Sequence, residues 1–337
     1  MNNNTFPPIE RPKIVFYKYR TFGELFNVTF DFLRENWKPI LKYFTYLLLP
    51  VCLVEGLSMS SFLDSYFTMI QDIATGNEQL SMSMIISYAL IIISTIVGYL
   101  LTQALIYTMM KVYDERPERL QGVTFADLKP YFWRNLGRVV ITMLVAIGIG
   151  ILIMGLMFAV SYFLSAWLLL LMVPAGAILI VPYAMVTPLY VFEGCSLGEA
   201  LKRGYRLGFK AFWMIIGITI LLSIIVQFIS SFVSMPFAIL MSVRAFLGME
   251  GNEMAEGPLM TIICYFAGVI MTYVSNLLMP IQTVGISYLY SHTVEKEEGL
   301  TVSRGIENFE QMSAPQWPGY GPAGNRHDDI DNFGNLV

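Results

Sequence analysis

The sequence predicts an all-α polytopic membrane protein with about six transmembrane helices, and two observations support this fold class. Only 14% of the residues are charged and 55% are hydrophobic, whereas a soluble domain carries roughly 25% charged residues. Charged residues are also absent from four long blocks, which are 79–110, 139–192, 211–243 and 257–294. An uncharged apolar stretch of about 18 residues or more is a candidate transmembrane helix.

The block 139–192 is too long for a single crossing. As one helix it would reach about 80 Å, against a hydrocarbon core of about 30 Å, so we expect it to fold back near 162–167. The first span has the shortest uncharged run, between Lys42 and Glu55, and we expect these two side chains to lie at opposite interfaces. The six predicted helices are at about 39–60, 84–110, 137–160, 168–191, 211–235 and 259–290.

Lysine and arginine lie almost entirely on one side of this predicted bundle. All but one of the 21 fall in the two terminal segments or in the second and fourth connections, and the exception is Arg244. Positive charge is retained in the cytoplasm during insertion, so both termini are expected to be cytoplasmic. This predicts a cytoplasmic segment at 1–20, a six-helix membrane domain at 21–294 and a cytoplasmic, mostly disordered tail at 295–337.

Three segments that precede predicted spans share a helix-capping pattern. Thr21-Phe-Gly-Glu24, Thr124-Phe-Ala-Asp127 and Ser196-Leu-Gly-Glu199 each place an acid three residues after a hydroxyl, as a capping box does. Apolar and basic positions then separate at helical spacing, which is typical of helices that lie in the headgroup plane. We therefore predict three cytoplasmic interfacial amphipathic helices in a pseudo-threefold repeat. The alternative is that they are ordinary connecting helices packed on the bundle.

The basic residues of these three helices are the candidate binding site for anionic lipid, or for a cytosolic or membrane protein partner. Glu193 closes the fourth predicted helix close to Lys202 and Arg203, and we interpret it as part of an interfacial ion pair rather than as a functional acid. The candidate binding residues are Arg34, Lys38, Arg134, Arg138, Lys202, Arg203, Arg206 and Lys210.

A second interpretation is a transporter or lipid-handling protein with a cavity between the fourth and sixth predicted helices. The fourth helix carries Pro174, Pro182 and Pro188, and broken helices line the binding sites of many transporters. For the polar residues of the spans, the alternative is hydrogen bonding between helices. The residues that would line such a cavity are Gln103, Gln227, Asn276 and Gln282. The glycines of the third helix that we expect to permit close helix packing are Gly148, Gly150 and Gly155.

The sequence carries no catalytic constellation, so we expect a protein that is not an enzyme. Covalent or acid–base catalysis needs a nucleophile, a base and a group that orients the base, and His292 and His327 are the only histidines. The three scattered cysteines offer neither a disulfide framework nor the spacing of metal ligands. Phosphate-binding glycine loops and nucleic-acid signatures are also absent. We therefore predict no cofactor, no metal and no nucleic-acid partner.

One stretch resembles a known family. The sequence "VTPLYVFEGCSLGEALKRGYRLGFKAFWMIIG" contains a proline-bearing helix that ends in an acid, then an amphipathic helix, then an aromatic pair that enters the next span. Across Pro188 to Trp213 it is similar to the integral membrane domain found fused to some bacterial glycerophosphodiester phosphodiesterases. The resemblance implies a protein of the bacterial cytoplasmic (inner) membrane, related to stand-alone members of that family. It does not imply the phosphodiesterase, whose barrel domain carries metal-binding acids and histidines.

Overall fold

In the computed structural model, which describes residues 12–74, 81–163, 169–249 and 257–299, long helices dominate and these residues contain no strand. Six stretches of helix are long and apolar enough to cross a membrane, which confirms the prediction of an all-α, multi-pass membrane protein. The helices are α1 (Phe22–Ala74), α2 (Met82–Glu115), α3 (Phe125–Phe163), α4 (Leu169–Tyr183), α5 (Val186–Glu193), α6 (Leu197–Lys210), α7 (Phe212–Met249) and α8 (Pro258–Glu298).

Several helices are longer than the uncharged blocks suggested. α1 has 53 residues and ends at Ala74 instead of near residue 60, which makes it about 80 Å long against a hydrocarbon core of about 30 Å. α7 likewise continues to Met249 and α8 to Glu298. Absence of charge marks only the part of a helix that needs lipid, so it sets no limit on where the helix ends. Part of the turn predicted at 162–167 and the tail from residue 300 onward lie outside the described residues.

The fourth predicted span is two helices rather than one. α4 ends at Tyr183 and α5 begins at Val186, and the amide of Met185 donates to the carbonyl of Pro182 in a tight turn (3.2 Å). The break lies one turn before Pro188. A proline has no N–H for the carbonyl four residues earlier, and its ring collides with that carbonyl, so the helix is interrupted there.

The amphipathic segments differ from one another in the structure. The second is the opening part of α3 and continues directly into its span, the first is joined to its span across a bend in α1, and the third is a separate helix, α6. α1 bends at Asn36, whose backbone is not helical (φ −109°, ψ 17°), three residues before Pro39. The three predicted segments are therefore helical, but only the first and the third are set off from their spans, by a bend and by a break, and their placement in the headgroup plane remains a prediction.

Residues 12–20 pack on the helices instead of forming a separate segment. The ring of Phe16 is buried, with its centroid 4.8 Å from Phe192 and 5.7 Å from Tyr288. The guanidinium of Arg20 donates to the carbonyl of Phe16 (3.0 Å), and the amide of Arg20 donates to Nδ1 of His292 (3.0 Å). Burial lowers the pKa of Arg20 from its ordinary value, although the nearby tyrosine hydroxyl of Tyr288 partly opposes this shift. Residues 12–20 thus contribute to the core.

The core lies toward one end of the bundle. α8 packs against α1 and α7, while α2 packs against α1 and α3. We call the end formed by residues 12–20, the α2–α3 connection at 116–124, α6 and the last turns of α8 the basic end. We call the opposite end the far end. It holds the last turns of α1 and α7 and the first turns of α2 and α8. Long apolar side chains are exposed along the sides of the helices between the two ends, as expected of a surface in contact with lipid.

Candidate functional site

The three predicted capping pairs are formed, and they fix where the basic segments begin. In the first pair, the amide of Thr21 donates to the carboxylate of Glu24 (2.7 Å), and the amide of Glu24 donates to the hydroxyl of Thr21 (3.4 Å). Because α1, α3 and α6 each start at a defined residue, the helical repeat sets the direction of the side chains that follow, in α1 as far as the bend at Asn36. The pairs are Thr21–Glu24, Thr124–Asp127 and Ser196–Glu199.

Arg203 of α6 lies between carboxylates from two other helices. It donates to Glu193 at the end of α5 and to Glu298 at the end of α8, the latter at 2.7 Å. All three side chains are mostly shielded, with exposed fractions of 24%, 18% and 19%. Burial opposes the charge of Arg203, but the bonds to Glu298 and Glu193 outweigh it and raise the pKa of this guanidinium. The ion pair predicted for Glu193 and Arg203 is confirmed.

The next two cations of α6 are also paired with α8. Arg206 donates to Glu298 (2.9 Å), and Lys210 donates to Glu297. Lys202 differs from them because it is exposed and forms no ion pair with any described residue. Three of the four basic residues predicted on this helix therefore attach it to the last turns of α8.

Small residues hold α6 against the broken span. Ala200, Gly204 and Gly208 repeat every four residues and are buried. A Cβ at Gly208 would lie 2.5 Å from the backbone of Pro182, and one at Gly204 would lie 2.9 Å from the Cα of Val186. No larger side chain fits at this contact, which is the geometry of small residues at helix crossings in membranes. The spacing Ala200-x3-Gly204-x3-Gly208 was visible in the sequence and would have predicted this contact.

The glycines of α3 behave differently, and the prediction that they permit close packing is wrong. Around each of them, apart from its two chain neighbours and the nearby backbone of α3 itself, no atom of a described residue lies within 4 Å of where a Cβ would be placed. Their spacing resembles a packing motif, but their side of α3 has no described helix against it. These glycines are Gly148, Gly150 and Gly155.

Arg138 of α3 supports the same junction as α6. Its guanidinium donates to the carbonyls of Val191 (3.1 Å) and Gly194 (3.4 Å), which lie at and just beyond the end of α5. It also lies over the ring of Tyr190, 5.4 Å from the centroid. A cation in this position satisfies carbonyls that a helix C-terminus leaves without partners. Arg138 therefore has a structural partner whatever else it binds.

The remaining predicted cations, on α1 and α3, are not engaged in this way. Arg34, Lys38 and Arg134 are exposed, and none of them forms an ion pair with a described residue. Lys38 lies 5.8 Å from the ring centroid of Trp37, and Arg134 lies over Tyr131 at 5.5 Å. Exposed aromatic rings beside cations are typical of the membrane–water boundary. Together with Lys202, these residues present unpaired positive charge at the basic end.

The residues predicted to line a cavity point toward different neighbours. Asn276 of α8 is buried against α1, whereas the amide of Gln282 donates to Ser223 of α7 (3.0 Å). Six residues on an α-helix turn through about 600°, so these two side chains lie about 120° apart. Gln227 is exposed on α7, and Oε1 of Gln103 on α2 is buried with no hydrogen-bond partner among the described residues. For Asn276 and Gln282 the structure shows the alternative that the sequence left open, hydrogen bonds between helices.

Asn276 belongs to a polar cluster between α1, α2 and α8, in which Asn276 is buried, Glu55 is half-buried and Thr95 is exposed. The carboxylate of Glu55 on α1 accepts hydrogen bonds from Thr95 of α2 (2.9 Å) and from Asn276 (3.3 Å). Glu55 is 13 residues beyond Lys42, about 20 Å along the helix, and α1 continues well past it to Ala74. The sequence placed Glu55 at the outer interface because the helix was expected to end near residue 60. Its pairing with Asn276 joins residues 221 positions apart and was not predicted.

Metal-binding and nucleophilic groups are sparse. Among the described ranges, no group of three or more His, Cys, Asp or Glu side chains is arranged to hold a metal ion. Cys52 and Cys264 are buried and free, and Cys195 is partly exposed. Burial, followed by the charge of Glu193, raises the pKa of the Cys195 thiol, which is the opposite of what an activated nucleophile needs. The expectations of no metal, no cofactor and no enzymatic activity remain predictions.

Comparison of the chain with protein-family models, with curated proteins and with solved structures finds no match. The resemblance of Pro188 to Trp213 to the membrane domain of the phosphodiesterase fusions therefore remains a prediction. What is established is a multi-pass membrane protein with six candidate spans.

Proposed function

We propose that this protein is a non-enzymatic scaffold or accessory factor of a bacterial cytoplasmic membrane, and that its basic end binds anionic lipid or a cytosolic partner. The observation that carries this proposal is the unpaired charge of Arg34, Lys38, Arg134 and Lys202 at one end of a six-span bundle. Each basic residue near an anionic membrane surface contributes about 1 kcal/mol of attraction. Charge that serves no internal ion pair is available for this purpose.

Lipid selectivity tests the proposal directly. The full chain, purified in detergent, is titrated with phosphatidylglycerol and separately with phosphatidylcholine, and bound lipid is counted by native mass spectrometry. We expect preference for the anionic lipid, and we expect the quadruple variant Arg34→Gln, Lys38→Gln, Arg134→Gln, Lys202→Gln to lose most of that preference. The matched control exchanges the same positions with charge retained, as Arg34→Lys, Lys38→Arg, Arg134→Lys and Lys202→Arg. Equal binding of the two lipids to the unmodified protein would reject a lipid-binding basic end.

The orientation is a separate part of the proposal. With Cys52, Cys195 and Cys264 replaced by serine, single cysteines are introduced at Met82 at the far end and at Gln121 at the basic end, which are both exposed. A membrane-impermeant thiol reagent added to intact cells should label position 82 and should not label position 121 until the cells are lysed. Labelling in the reverse order would place the basic end outside the cytoplasm.

A transporter is the second candidate, and the polar cluster of Glu55, Thr95 and Asn276 is the observation that favours it. An ionisable side chain at membrane depth is costly, and in many membrane proteins it marks the path of an ion or proton. In proteoliposomes loaded with a pH-sensitive dye, a proton transporter would show flux that falls in Glu55→Gln and in Asn276→Leu. The variant Gln282→Leu, which alters a contact between α7 and α8, is the matched control. Absence of flux in the unmodified protein would remove proton transport from consideration.

A further inference from the structure

A groove runs between α1 and the α2–α3 connection at the basic end. Its first part is a cavity of about 700 Å³ lined by residues 35–39, Lys42 and Tyr43 of α1 and by residues 119–123 of the connection. A second cavity of about 510 Å³ adjoins it, because Lys42 and Tyr43 line both. The second cavity extends along α1 in the direction of the span, and its other lining residues are Tyr46, Leu47, Thr124 and Phe125.

The two walls of this groove are held together by side-chain hydrogen bonds. The hydroxyl of Tyr43 on α1 donates to the carbonyl of Val123 in the connection (2.5 Å). Arg119 of the connection donates to Glu35 of α1 (2.8 Å), and both side chains are largely shielded, with exposed fractions of 20% and 23%. Because these two contacts tie α1 to the connection at separate points, the groove is already formed without a ligand.

The first part of the groove is positively charged. Lys38 and Lys42 are exposed, lie one helical turn apart, and form no ion pair with any described residue. The acids beside them are engaged elsewhere, since Glu35 is paired with Arg119, and Asp127 lies 3.7 Å from Arg116. Two lysines at this spacing are therefore available to hold a phosphate or another compact anion between them.

The second part of the groove is largely apolar. Tyr46 is 72% exposed and Phe125 is 41% exposed, and Leu47, which packs against the core, also lines this part. Tyr46 is four residues beyond Lys42, so the lining changes from cationic to aromatic over about 6 Å along α1. A ligand that fits both parts carries an anion at one end and a hydrocarbon chain at the other. A soluble phosphate ester satisfies only the first part, and an uncharged lipid satisfies only the second.

We propose that this groove binds one molecule of anionic phospholipid, with its phosphate between Lys38 and Lys42 and an acyl chain along Tyr46 and Phe125. This orientation of the lipid agrees with the direction of α1, because Tyr46 lies on the side of Lys42 that leads into the span. This inference rests on the proposed function and adds to it a defined site and a ligand class. It predicts a single saturable site, whereas a diffuse basic surface would bind several lipids with similar affinity.

The test compares two variants that remove the same charge from the same end of the protein. Phosphatidylglycerol binding to the full chain in detergent is measured by native mass spectrometry for Lys38→Gln/Lys42→Gln and for the matched control Lys18→Gln/Lys129→Gln, whose two lysines are exposed and lie outside the candidate binding residues. We expect the dissociation constant of the first bound lipid to rise on the order of tenfold or more in the groove variant, and by roughly threefold or less in the control. Unchanged thermal unfolding without lipid shows that both variants are folded.

A third variant, Tyr46→Ala, tests the apolar part of the groove. It should weaken binding of phosphatidylglycerol several-fold, and an excess of glycerol 3-phosphate should not displace the lipid from the unmodified protein. Complete displacement would mean that the groove selects a free phosphate ester, which would overturn the inference.

The failures of the two proposals are distinguishable. If both double variants weaken binding equally, anionic lipid binds the basic end without a defined site, so the groove is wrong and the proposed function stands. If phosphatidylcholine binds the unmodified protein as well as phosphatidylglycerol does, both are wrong. If lipid binds equally to every variant and a copurifying protein is instead lost from the groove variant, the groove is a protein-docking surface and the lipid site is overturned.

Discussion

The cations of α6 and those at the start of α1 and α3 follow the same sequence pattern, yet their surroundings in the structure differ. Arg203, Arg206 and Lys210 are matched by carboxylates at the ends of α5 and α8, whereas Arg34 and Arg134 are exposed and unpaired among the described residues. The sequence pattern indicates which cations collect at the basic end. Whether their charge is available to a ligand depends on elements far away in the chain, such as Glu298, which is 95 residues from Arg203.

The largest effect that this comparison predicts is on stability, at Arg203. The substitution Arg203→Ala leaves Glu193 and Glu298 shielded without their shared cation, and we expect the free energy of unfolding to fall by about 3 kcal/mol. Thermal or SDS-induced unfolding in detergent measures the change. Lys202→Ala, one residue away and exposed, is the control and should change stability by less than about 0.5 kcal/mol. Similar losses in both variants would show that the two kinds of cation do not differ.

The glycine contact beneath α6 should give the next largest effect. A methyl group at Gly208 would lie 2.5 Å from the backbone of Pro182, and backbone cannot move aside as a flexible side chain can. We expect Gly208→Ala to reduce the free energy of unfolding by about 2 kcal/mol. Gly198→Ala serves as the control, since a Cβ there meets nothing within 4 Å among the described residues. A neutral result at Gly208 would mean that α6 is not seated against α4 as the structure shows.

The loss of stability on removing Arg206 should be intermediate between the loss for a shielded, paired cation and the loss for an unpaired one. It shares Glu298 with Arg203, but 60% of its side chain is exposed, so solvent screens the pair. We expect Arg206→Ala to cost about 0.5 kcal/mol, and we expect that cost to shrink further when salt is raised from low to near-molar concentration. Unfolding curves at two ionic strengths provide the measurement. A loss as large as that of Arg203→Ala would contradict the ranking by exposure.

The smallest stability effect should come from the unpaired cations. The double variant Arg34→Gln/Arg134→Gln removes no ion pair among the described residues, so we expect its unfolding midpoint to match that of the unmodified protein within error. The same variant should weaken the preference for phosphatidylglycerol over phosphatidylcholine. A stability loss of more than about 1 kcal/mol would indicate that these residues are structural, as Arg203 is.

Much of the fold was predictable because its strongest signals are local. Lipid excludes charge, so the four uncharged blocks located five spans and the short uncharged run between Lys42 and Glu55 located the first. The capping pairs located the starts of α1, α3 and α6. The break before Pro188 was suggested by the proline itself. Helix ends were less predictable, because a helix that leaves the membrane, as α1 does on the way to Ala74, carries no signal that lipid imposes.

The candidate site was only half predictable from the sequence. The placement of Lys38 and Arg203 at the same end follows from the number and positions of the spans, and a one-sided distribution of lysine and arginine is the pattern that membrane insertion favours. The sequence by itself therefore determined the class of protein, the number of candidate spans and which residues collect at one end. Only the tertiary structure decided which cations are paired, that Glu55 meets Asn276, and that a groove forms beside Lys42. Each of these depends on contacts between residues far apart in the chain. The sequence around a residue does not specify which distant residue it will contact.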